Sequence, residues 1–192
     1  MARTSSDKIP LPLIRNMDTI ATMVEEGQVF GVSNVTIGTG ITPVTGGYVA
    51  TTPSFTFRNL GNKVMVPLFA KFYQTGTVAD VRIAVHVSTL ETGQFTSGTA
   101  LTAYNRNQWS SNAATVSTFH TSTLPAFTTG NQRLRYTASI FQTVTAANTD
   151  IDLFPEPGFT MVRPSGQLDI WTIGSTSAPT WFFAMEWAEL DV

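Results

Sequence analysis

The stretch Val81-Arg82-Ile83-Ala84-Val85-His86-Val87-Ser88 sets the fold class. Val81, Ile83, Val85 and Val87 alternate with Arg82, Ala84, His86 and Ser88. Successive side chains of a strand point to opposite faces, so this period of two buries one face and wets the other. The pattern recurs along the chain. Leu134, Tyr136, Ala138 and Ile140 share one side of 133–143, and Trp181, Phe183, Met185 and Trp187 share one face of 181–190. Leu168 to Ile173 adds another strand. Val64 to Tyr73 is apolar on both faces and contains Pro67, which predicts an edge strand or a bulge whose outer face is covered. Thr75-Gly76-Thr77, between this run and Val81, reads as a hairpin connection. Weaker strands are predicted over 28–37, 48–58, 99–104 and 115–120.

One segment carries the helical period instead. Met17, Ile20, Ala21 and Val24 fall at i, i+3, i+4 and i+7, with Asn16 placed to cap and Gly27 to stop the helix. Asp18 suits the positive N-terminus, whereas Glu25 and Glu26 oppose the dipole. Upstream, Ile9-Pro10-Leu11-Pro12-Leu13-Ile14-Arg15 holds two prolines two apart. They block helix and remove ladder donors, so residues 1–15 form an extended arm whose apolar side chains need cover. The chain therefore divides into an arm and short helix at 1–27 and a body at 28–192. Eight or nine strands without strand–helix alternation make that body all-β, an antiparallel β-sandwich of jelly-roll type with about eight strands.

The chain has 192 residues, 42% of them hydrophobic, enough for a single core. Only 12% are charged, about half the ~25% of an ordinary domain. A net charge of -2 excludes broad electrostatic capture of nucleic acid or anionic membrane, so neither is an expected partner. No apolar run approaches the ~20 residues of a membrane span, and the first eight residues lack the apolar stretch of a signal peptide. The chain has no Cys, which excludes disulfides and thiolate chemistry. It has 31 Thr against three Lys. Threonine hydrates a sheet face without charge, and a charge-poor surface suits contact with neighbouring subunits better than dispersal in solution.

Residue types that carry chemistry are sparse. His86 and His120 are the two histidines, and no nucleophile-elbow, zincin or P-loop motif is present. Asn148, Asp150 and Asp152 have the opening spacing of a calcium loop, but Leu153 stands where that loop needs Gly and Phe159 where it needs Glu, so 148–152 reads as a solvated turn. Glu91, Asp152, Glu156 and Asp169 would have to pair across a cleft to hydrolyse a glycoside. Asn34-Val35-Thr36 fits a glycosylation pattern that is silent without a signal peptide. These features predict a protein that is not an enzyme, with no metal and no cofactor.

Contact residues are easier to nominate. Tyr104 and Trp109 flank Asn105-Arg106-Asn107-Gln108, an aromatic pair beside amides that suits either a sugar ring or a protein interface. Phe69 and Tyr73 lie on the second apolar face of Val64–Tyr73 and are expected at a subunit interface. Arg133 and Arg135, two apart on one strand face, are expected there too, facing a neighbour's carboxylates, or else are simply solvated.

An extended arm, a β-sandwich body, few charges and no catalytic cluster together resemble virion structural proteins with a jelly-roll body, most of all the decoration or cement proteins of tailed-bacteriophage heads. The resemblance is one of layout, with Met1–Ile14 as arm and Gln28–Val192 as body. It implies a homo-oligomer, commonly a trimer, made in the host cytoplasm and clamping major capsid protein subunits from the capsid exterior. Ile9, Leu11, Leu13 and Ile14 would then anchor the arm on an adjacent subunit. The competing expectations are a carbohydrate- or receptor-binding module of a fibre tip or adhesin, and a capsid protein that builds the shell itself.

Overall fold

The computed structural model describes residues 19–34, 40–42, 44–45, 49, 51–75, 81–89, 96–123, 132–140, 149–153, 161–174 and 180–191. For 44, 74–75, 81–89, 121–123, 132–140 and 149–153 it gives the backbone path alone. The described strands form two sheets. The first holds β1 (Val29–Ser33), β4 (Val64–Thr75), β7 (Tyr104–Asn105), β10 (Thr149–Leu153) and β12 (Thr180–Leu190), in the order β10-β4-β12-β1-β7. The second holds β2 (Val44–Thr45), β3 (Phe55–Asn59), β5 (Val81–Thr89), β6 (Ser97–Leu101), β8 (Val116–Thr123), β9 (Gln132–Ile140) and β11 (Gly166–Gly174). Its order is β6-β8-β3-β11-β5-β9, with β2 beside the end of β11. That short β2–β11 contact is parallel; the other pairings among these strands are antiparallel.

With β2 and the β6–β8 excursion set aside, eight strands remain. Ranked in chain order, they run 6-3-8-1 through the first sheet and 2-7-4-5 through the second. This is the two-sheet path of a jelly roll, as expected from the sequence. The core lies between the layers. Phe55 stacks on Phe183 with centroids 3.9 Å apart, and Phe57 meets Trp187 edge-on at 5.9 Å. Trp181, Phe183, Met185 and Trp187 are all buried, as the alternation of β12 requires.

Three local expectations are corrected. β4 and β5 lie in different sheets, so they do not pair as the hairpin expected across Thr75-Gly76-Thr77, of which 76–77 lie outside the described residues. β4 spends both edges on β10 and β12, and β5 both of its own on β9 and β11, which leaves the two no edge to share. Pro67 sits in an interior strand, and only the bulge half of that expectation holds. The β4–β12 register slips there, with Trp187 opposite Pro67 and Glu186 opposite Phe69, so the missing N–H falls where the ladder is already broken. Residues 149–153 form strand β10 on the free edge of β4 and not a turn.

The excursion ties the layers together. β7 pairs with β1 in one sheet while β6 and β8 extend the other. Buried Glu189 of β12 fastens it. Its carboxylate accepts from Thr115 N (3.0 Å), Thr115 Oγ1 (2.7 Å), Val116 N (3.1 Å) and Trp187 Nε1 (3.1 Å).

Helix α1 covers 19–25 and ends where Gly27 predicts. Gly27 has φ 69°, its N–H bonds Val24 O and the N–H of Gln28 bonds Met23 O, the paired bonds of a Schellman cap. Ile20, Met23 and Val24, together with Leu190, pack on Val29, Leu68 and Ala188, on the side of the first sheet away from the core. Ala21 is exposed, so Met23 takes the place expected of it.

Candidate functional site

The outer side of the five-stranded sheet can be read from its registers. Phe182, Ala184 and Glu186 of β12 alternate with its core residues and stand opposite Tyr73, Lys71 and Phe69 of β4. Across β1, Gly31 stands opposite Glu186 on one side and Tyr104 on the other. Helix α1 covers one end of this face. Beyond it, Phe69 is 36% exposed and Tyr104 44%, with Tyr73 and Phe182 half-buried. The phenol ring of Tyr104 lies over Gly31, where a Cβ would come within 2.6 Å of its Cζ; any side chain at 31 would lift the ring away.

The loop after Tyr104 is tied to the end of α1. Asn107 Nδ2 donates to Glu25 O (2.9 Å), Asn105 Nδ2 to Gly27 O (2.9 Å) and Asn112 Nδ2 to Glu26 O (3.2 Å). Three side-chain amides thereby satisfy carbonyls that the end of α1 leaves orphaned. Asn107 Oδ1 accepts from the backbone N–H of Trp109 (3.0 Å), which fixes the base of the indole. The Trp109 side chain is 97% exposed. A shallow groove of about 370 Å³ runs beside it, lined by Val24, Glu25, Arg106, Asn107 and Gln108. Arg106 Nη1 reaches Glu186 Oε1 at 3.0 Å on the sheet's outer side. Partial burial pushes the Glu186 carboxyl above its usual range, and the Arg106 charge offsets this in part.

Phe69, Tyr73, Tyr104 and Trp109, two separate expectations in the sequence, thus lie on one side of one sheet. Phe182, Arg106 and Glu186 join them unannounced. The alternation of β12 already sends Phe182 to that side, but nothing local shows that Arg106 reaches Glu186. Two of the amides expected to face a sugar, Asn105 and Asn107, are used up on the helix end. Arg133 and Arg135 lie on β9, the outermost strand of the other sheet, apart from Phe69 and Tyr73. Their side chains, and all of the arm residues Ile9, Leu11, Leu13 and Ile14, lie outside what the structure describes.

The remaining candidates for chemistry lie elsewhere in the fold where they are described. Asp169 is wholly buried on the outer side of the seven-stranded sheet, where Thr56 Oγ1 donates to it at 2.8 Å and Gln167 Nε2 at 2.8 and 2.9 Å. Burial pushes its carboxyl up to about 7, against the pull of those donors and of Arg58. His86 stands opposite Asp169 in the β5–β11 register. His120 on β8 is half-buried, and burial lowers its pKa. Asn34 accepts from Phe183 N (2.8 Å) and donates to Trp181 O (3.2 Å), so its amide extends the β1–β12 ladder. Among the described residues no three His, Asp or Glu side chains converge as a metal site would require. Compared with known proteins, the chain matches no family model and no curated relative.

Proposed function

We propose that the chain is a non-enzymatic structural subunit that works by contact within a larger protein shell, through the outer face of its five-stranded sheet. The observation that supports this is that Phe69, Tyr73, Phe182, Tyr104 and Trp109 lie on one side of one sheet, the side that also carries the Arg106–Glu186 pair. Aromatic residues and arginine are the types that interface centres favour. Association removes their apolar area from water at ~25 cal/mol per Å². The resemblance in layout supplies the finer reading, a homo-oligomer, trimeric, that decorates or cements a capsid exterior. A subunit that binds only the assembled shell stabilises it by mass action. A second reading rests on Trp109 alone: a fully exposed indole beside a groove would also stack a sugar ring, and preferential glycan binding lost in Trp109→Ala would favour it.

Sedimentation of the full chain over a concentration series tests the proposal. A closed oligomer is expected, which Phe69→Ser with Trp109→Ser shifts toward monomer at an unchanged far-UV spectrum. A chain that stays monomeric throughout, or a double variant that assembles as well as the parent, removes the reading.

A further inference from the structure

Strand β6 ends the seven-stranded sheet, with β8 on one side and no described strand on the other. Thr96, Ser97, Gly98, Thr99 and Ala100 are all exposed. Among the described residues, no backbone hydrogen bond outside the sheet ladder reaches Ser97–Leu101. A free edge of this kind is a template for another strand, and proteins usually blunt it with charge, proline or brevity. Here the blunting is slight, a register slip between Ser97 and Thr99. The surrounding sequence carries almost no charge, since Arg106 is the one formally charged residue from Thr92 to Gln132.

We infer that the free edge of β6 is a pairing site for the β6 edge of a second copy of this chain, antiparallel across a two-fold axis centred near Thr99. The other described edges argue for this occupant by contrast. Pairing β10 with itself about Ile151 would set Asp150 opposite the copy's Asp152, while the β9 edge is already blunted by a bulge at Arg135 and by the charges of Arg133 and Arg135. Like charges placed opposite each other destabilise a ladder. β7 has two residues, too few for a ladder. In a β6 pair, Thr99 meets Thr99, Gly98 meets Ala100 and Ser97 meets Leu101, with no charge and no two bulky groups opposed. Such a contact is isologous and closes on itself. A five-residue edge buries far less than the ~1,200 Å² of a standard interface, so the pairing is weak in dilute solution and strengthens where copies are held side by side.

The inference does not rest on the aromatic face, and its test keeps the two apart. The chain lacks cysteine, so a single engineered thiol reports cleanly. Residues directly opposed in an antiparallel pair have Cα atoms ~4.5–5.5 Å apart, within the range a disulfide accepts. Full-length Thr99→Cys is expected to oxidise to a covalent dimer at least about tenfold faster than Ser111→Cys, an exposed loop position, at equal concentration. Adding Gly98→Lys together with Ala100→Lys, two exposed positions that stand directly opposite each other across the pair, should return Thr99→Cys to the control rate by setting like charges across the ladder. Equal rates for the two single-thiol variants overturn the inference. A fast rate that survives Gly98→Lys with Ala100→Lys also overturns it, because the contact is then not an edge ladder. Repeating the measurement with Phe69→Ser and Trp109→Ser shows whether β6 pairing persists when the aromatic face is removed.

Discussion

The two sheets treat their outward sides differently. β11, central in the seven-stranded sheet, is buried at every position, and outward-directed Thr56, Gln167, Asp169 and Trp171 are all 0% exposed. β12, central in the five-stranded sheet, is buried at alternate positions along most of its length, and beyond α1 its outer neighbours include exposed Phe69 and Tyr104. A covered face must satisfy its polar groups internally. Accordingly Trp171 Nε1 donates to Val49 O at 2.9 Å, and Asp169 takes hydrogens from Thr56 and Gln167. An open face carries no such demand and can hold aromatic side chains whose partner is another molecule. One outward side works as a second core, and the other leaves aromatic side chains in contact with water.

The sharpest way to break this contrast is Trp171→Ala, which empties the covered side. A loss of about 3–5 kcal/mol is expected from urea unfolding. A loss under about 1 kcal/mol would mean that the covered side bears no load. Asp169 should give the next effect, through pH. Its folded pKa of about 7 lies above the ordinary 3.8, so between those values the folded state binds more protons than the unfolded. Stability from this group is therefore full below about pH 4 and falls as pH rises through 7, by about 2–4 kcal/mol. Unfolding midpoints at pH 5 and pH 8 should differ in the parent and move closer together in Asp169→Asn; equal spacing in both would place the titration elsewhere. The smallest effect belongs to the open side. Phe69→Ser should change stability by less than about 1 kcal/mol, because the ring already meets water. A larger loss would show that the face is part of the core.

Much of the fold was legible because strand periodicity is local. Trp181, Phe183, Met185 and Trp187 announce one buried face, and each is buried. The site was legible in pieces. Phe69 and Tyr73 follow from a strand apolar on both faces, and Tyr104 and Trp109 from aromatic residues in a polar loop. Their union was not legible, since it depends on β7 lying along β1, and two residues contain too little pattern to announce a pairing. The three asparagines were visible as polar residues, yet their partners at the end of α1 are about 80 residues away in the chain. Asp169 reads as one acid among several until β11 is seen to be covered on both sides.

By itself the sequence determined what depends on neighbours a few residues apart. Alternation made the strands and assigned their inner faces, and Gly27 stopped α1 because a left-handed residue suits a Schellman cap best without a Cβ. The tertiary structure alone decided which strands became neighbours. Strand edges recognise backbone and not side chains, so many pairings satisfy one pattern, and the choice falls to the packing of the whole core. That choice sent β4 and β5 to different layers, buried Asp169, left the outer edge of β6 without a described strand, and brought Phe69 and Tyr104 onto one face.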